Sequence, residues 1–84
     1  MTTYTHDGRV WRGDDGSAHE VLRLRAGDYP DGTWVTQGSW SYQAVHEHGV
    51  PYWRGNLYSA PTASWEARRF TEGDTVTVRA PKES

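Results

Sequence analysis

Apolar and polar residues alternate in short runs along this chain, and turn-forming residues cut the runs at close intervals. Residues 19–25 put Leu22 and Leu24 on one face and Val21, Arg23 and Arg25 on the other. Residues 52–58 separate Trp53, Gly55 and Leu57 from Tyr52, Arg54, Asn56 and Tyr58. Residues 75–79 separate Val76 and Val78 from Thr75, Thr77 and Arg79. A period of two is the signature of half-buried strands. The interruptions are Asp7-Gly8, Asp14-Asp15-Gly16-Ser17, Pro30-Asp31-Gly32, Gly38-Ser39, His48-Gly49-Val50-Pro51 and Glu72-Gly73-Asp74. Their spacing predicts an all-β fold of six or seven short strands, as a small antiparallel barrel or a two-sheet sandwich. Residues 62–70 are the exception. Ala63, Trp65, Glu66, Ala67, Arg68 and Arg69 suit two helical turns, with Thr62 or Ser64 as N-cap and Gly73 beyond the end. A strand competes with that helix.

Two turns are specific enough to set local register. Asp7-Gly8 suits a two-residue type I′ hairpin, pairing His6 with Arg9, Thr5 with Val10 and Tyr4 with Trp11. Gly38-Ser39 suits a type II′ hairpin, with glycine at the first central position. It pairs Gln37 with Trp40, Thr36 with Ser41, Val35 with Tyr42 and Trp34 with Gln43. Pro30-Asp31-Gly32 reads as a type I turn with proline at its second position. Paired residues point the same way. Val35, Trp40, Tyr42 and Ala44 therefore share a core-facing side, and Trp34, Thr36, Ser41 and Gln43 share the other. If Trp53 and Leu57 point inward, Tyr52, Arg54, Asn56 and Tyr58 join that second face.

Composition sharpens this picture. With 84 residues the chain is one domain, with a loose tail at residues 81–84. Seven Val, three Leu and no Ile leave the core to five Trp, five Tyr and one Phe. Trp11, Trp40 and Trp53 are expected inside, Trp65 is undecided, and Trp34 is pushed outward by the hairpin. Cysteine is absent, which excludes a disulfide framework and thiolate metal sites. The chain begins without a basic and apolar leader, and no apolar run approaches the ~18 residues of a membrane span. A cytoplasmic protein is the expectation. Eight Arg against one Lys suggests a GC-rich source, in keeping with a bacterial or phage accessory protein. The net charge of −2 lacks the basic footprint of a duplex-DNA binder.

Candidate chemistry is sparse. No phosphate-binding glycine loop, nucleophile elbow or paired-carboxylate cleft is present, so no enzyme activity and no cofactor are expected. His46-Glu47-His48 would place two imidazoles on one strand face as weak metal ligands, with His6 and His19 as further donors to recruit. The motif resembles the first half of a cupin metal site, but the carboxylate expected a few residues later is missing. The expected function is that of a non-enzymatic binding module using an aromatic and arginine face: Trp34, Gln43, Tyr52, Arg54, Asn56 and Tyr58. Trp, Tyr and Arg are the residues that dominate interface energetics. The partner is a protein or a second copy of the chain. Carbohydrate or single-stranded nucleic acid, bound by stacking, is the alternative.

Overall fold

A computed structural model describes residues 1–55, 61–67 and 70–81. Nine strands form among the described residues: β1 (Thr2–His6), β2 (Trp11–Gly13), β3 (Ala18–His19), β4 (Arg23–Arg25), β5 (Trp34–Gln37), β6 (Trp40–Glu47), β7 (Val50–Gly55), β8 (Ser64–Glu66) and β9 (Thr75–Arg79). A 3-10 turn covers Ala26–Asp28. Seven strands build one open antiparallel sheet in the order β3-β2-β1-β9-β5-β6-β7, and β4 pairs with β8 in a second sheet. The large sheet is thus two three-stranded meanders, β1-β2-β3 and β5-β6-β7, joined by the last strand. Val76 and Val78 of β9 are buried at that junction.

The small sheet covers one side of the large one. Leu22, Leu24, Trp65 and Ala67 meet Trp11, Val35, Ala44, Trp53, Val76 and Val78 in a single core. Trp11 and Trp53 are fully buried, as their alternation predicts, and Trp65 joins them. The segment that suited a helix forms β8 instead, because pairing with β4 satisfies its backbone and turns Trp65 onto Leu24. Residues 19–25 do not run as one strand. His19 ends β3 in the large sheet, and the chain bends at Glu20–Val21 so that Leu22 and Leu24 reach the opposite layer.

Turn chemistry explains where register was legible. The β5–β6 hairpin has the predicted pairs, Gln37 with Trp40 through Trp34 with Gln43, and Gly38 has φ 59°. The Asp7-Gly8 hairpin does not. His6 pairs with Trp11 and Tyr4 with Gly13, so the loop is Asp7–Val10, two residues longer than a type I′ turn. The cause is the Asp7 carboxylate, which accepts the backbone N–H groups of Arg9 and Val10 at 2.9 Å and binds Arg12 Nε at 2.6 Å. Such a side-chain turn competes with the backbone one. The shift is by two residues, so faces are preserved and Trp11 still enters the core. The two consecutive left-handed residues that a type I′ turn needs occur instead at His48 and Gly49, at φ 53° and 77°, in the two-residue turn between β6 and β7. The Pro30 turn is also shifted: Thr33 N–H bonds Pro30 O at 3.2 Å, which puts proline first and Gly32, at φ 91°, third, where a type II turn needs positive φ.

These contacts hold the Asp7 carboxyl well below its ordinary value of 3.8, through the Val10 N–H, then Arg12, then the Arg9 N–H. A depressed folded value means that the stabilisation is complete above the unfolded pKa and lost as pH falls through the folded one. The difference in Tm between wild type and Asp7→Asn is therefore expected to be constant above about pH 5 and to shrink steadily below about pH 4. Thermal melts across that range check it; a difference unchanged down to about pH 2 refutes the assignment.

Candidate binding face

The side of the large sheet away from the small sheet has a distinct character. Direct pairing places Arg79, Trp34, Gln43 and Arg54 in one row across β9, β5, β6 and β7. The next row is Thr3, Thr77, Thr36 and Ser41, across β1, β9, β5 and β6. Val45 and Tyr52 pair on the other side of the Trp34 row. Among the described residues none of these outward side chains is buried, whereas Val35, Ala44, Trp53, Val76 and Val78, alternating with them, are. Trp34 is half-buried between its row neighbours, with Thr33 and Val35 on either side of it pointing into the core. A shallow groove at its end is lined by Asp31, Gly32, Trp34, Gln43, Arg79 and Pro81.

Of the sequence-expected residues, Trp34, Gln43 and Arg54 are brought into this row, and Tyr52 stands in the adjacent one. Asn56 and Tyr58 lie outside the described residues. Arg79 was not among them. Alternation put it outward, but nothing local shows that β9 lies beside β5. Trp40 departs from its expected place in the core: it is 48% exposed. Its parity is inward, but it begins β6 at the hairpin tip, and it lines an open hollow with Gln37, Gly38, Gly73 and Asp74.

The electrostatics of the face follow from which charges are already engaged. Asp31 Oδ1 accepts His46 N–H at 2.8 Å, Glu47 accepts the Tyr52 hydroxyl at 2.9 Å, and Asp7 holds Arg12. Donation to Glu47 is the main reason the Tyr52 phenol is pushed up from its ordinary value. Arg54 and Arg79 make no ion pair among the described residues, where the pairs are Arg12 with Asp7 and Arg23 with Glu66. Among the described residues the Trp34 row therefore carries two guanidinium groups without an ion pair and no carboxylate of its own, with Asp31 and Glu47 at its margin bonded to neutral donors.

The sheet edges are less open than this face. β3 is two residues long. On the free edge of β7, Trp53 N–H bonds Thr62 O at 2.7 Å and Thr62 N–H returns at 3.3 Å. Pro51 has the same parity as Trp53, so its missing N–H falls on that edge, where proline blunts strand addition.

The histidines are placed separately. His46 Nε2 lies 3.1 Å from Ala26 O, which only accepts, so that nitrogen donates. His48 is in the turn and not on the strand face beside His46. The His6 ring packs on Trp11 and Phe70, at centroid distances of 5.1 and 4.6 Å, and its Nδ1 accepts Gly8 N–H. Among the described residues no group of three His, Asp or Glu side chains is arranged to hold a metal. Asp15, Ser17 and His19 do meet, but the carboxylate takes the Ser17 hydroxyl at 2.6 Å, leaving His19 Nε2 to reach the same oxygen at 3.0 Å. A catalytic triad needs the carboxylate on the histidine and the histidine accepting from serine.

No protein-family model, curated protein or solved structure matches the chain. Among the described residues no helix is long and apolar enough to cross a membrane.

Proposed function

We propose that this domain is a non-enzymatic binding module that engages a protein partner, or a second copy of itself, through the uncovered face of the large sheet. The observation that carries the reading is the row Arg79–Trp34–Gln43–Arg54, a half-buried tryptophan set among polar and arginine side chains on a face that the fold leaves open. Aromatic and arginine anchors surrounded by polar side chains have the make-up of interface hot spots. The blunted edges favour this face over strand addition. The cysteine-free, arginine-rich composition fits a cytoplasmic accessory protein of a bacterium or phage.

A photocrosslinking amino acid at Thr36, on the proposed face, is expected to give discrete protein adducts in extracts of the source cells. The same group at Arg23, on the far side of the small sheet, is expected to give few. Equal adducts from both positions would sink the reading.

A further inference from the structure

Resting on that reading of the face, we propose that its occupant is an extended acidic segment of a partner protein, with two carboxylates four residues apart and a large apolar side chain midway between them. Arg79 and Arg54 are separated by three strand intervals. At about 4.8 Å per interval, that is about 14 Å. An extended peptide rises about 3.4 Å per residue and points every second side chain the same way. Laid across the strands, its residues i, i+2 and i+4 span about 13.5 Å on one side. Carboxylates at i and i+4 then meet the two guanidinium groups, each a planar fork suited to bidentate carboxylate binding. The apolar residue at i+2 comes about 7 Å along the row from Arg79, between Trp34 at about 5 Å and Gln43 at about 10 Å, within reach of the Trp34 ring, and Gln43 and Thr36 stand beside it to bond the peptide backbone.

Charge favours this occupant over the other two available. A single-stranded nucleic acid carries a phosphate at every nucleotide and needs a basic track. Among the described residues this face offers two arginines without an ion pair, and the carboxylates of Asp31 and Glu47 at its margin repel phosphate. A second copy stacked face to face would bring the same two arginines opposite one another, with no free carboxylate in the row to meet them.

The test uses the whole chain and three fluorescent probes: a Gly/Ser/Thr decapeptide with Glu at i and i+4 and Leu at i+2, an isomer with its two Glu adjacent, and decathymidylate. The spaced peptide is expected to bind about tenfold more tightly than the isomer, and Arg54→Ala and Arg79→Ala are each expected to weaken it about tenfold, the scale of one charge-assisted hydrogen bond. Both arginines are exposed, so the variants keep the fold. Equal affinity for the two peptides, indifference to either arginine, or no binding overturns the proposal, as does tighter binding of decathymidylate. If the peptides fail while crosslinking still distinguishes Thr36 from Arg23, the acidic-segment inference falls and the face reading stands. If that contrast is also absent, both fall.

Discussion

Trp53→Ala is expected to destabilise the domain by about 3–5 kcal/mol, the range for deleting a buried tryptophan ring. Trp53 has no exposed surface and sits where the two sheets are tied together. Its ring lies 5.9 Å from Tyr29, and its backbone bridges to Thr62. Its Nε1 donates to Leu24 O at 2.9 Å, joining β7 to β4. Trp11 is equally buried, but its Nε1 has no partner among the described residues. Removing Trp53 therefore breaks this bond between the sheets as well as opening a cavity. A domain of this length is stable by roughly 4–13 kcal/mol, at 0.05–0.15 kcal/mol per residue, so the variant loses a large share of its stability. Its Tm should fall by roughly 12–40 °C, at about 4–8 °C per kcal/mol. Trp53→Phe separates the two effects, because it keeps much of the aromatic area and loses the donor, whose bond is worth about 0.5–1.5 kcal/mol. Near-ultraviolet circular dichroism melts measure both. A Trp53→Ala variant melting within about 5 °C of wild type would mean that the sheets are not tied at this residue.

Trp34→Ala is expected to behave in the opposite way, abolishing partner binding while leaving the fold nearly intact. The side chain is half-buried on the open face, and its contacts are with cross-strand neighbours. Such contacts are worth about 0.2–1 kcal/mol each. A loss near 1 kcal/mol, or roughly 4–8 °C in Tm, is the expected cost. Binding has more to lose, since truncating a central hot-spot tryptophan removes about 2–4 kcal/mol, or roughly 30- to 1000-fold in affinity. Parallel melts and titrations with the spaced acidic peptide decide the matter. Several kcal/mol of lost stability would place Trp34 in the core. Unchanged affinity would remove it from the interface.

The two tryptophans show what was legible in the chain and what was not. Trp53 reads as core because Tyr52 and Arg54 beside it are polar-tipped and alternate with it. Trp34 reads as outward because a glycine-led turn four residues on sets its register. Both inferences use interactions within a few residues. Trp40 obeys the same parity rule as Tyr42 and is nevertheless half exposed, because parity gives a direction and not what lies in that direction. Asp7-Gly8 has a standard hairpin sequence, but the Asp7 carboxylate prefers the N–H groups of Arg9 and Val10 and lengthens the loop. In residues 62–70, helix and strand were close in local preference, and pairing with β4 decided for a strand.

For the candidate face, alternation sorted Trp34, Gln43, Tyr52 and Arg54 from the core, and it also sent Arg79 outward. It did not make Arg79 their neighbour. That depends on β9 entering between two meanders, although Thr75 at its start lies 56 positions after His19 at the end of the first and 38 after Gln37 at the end of β5. By itself the sequence determined an all-β chain, the β5–β6 register and the two faces of most strands, since period-two alternation and turn backbone angles are local properties. Only the tertiary structure decided that β9 is central, that β4 and β8 leave to cover one side, and that Trp34 consequently stands between Arg79 and Arg54 on the other. Strand neighbours are chosen by burial between distant segments, and alternation is the same whichever strand lies alongside.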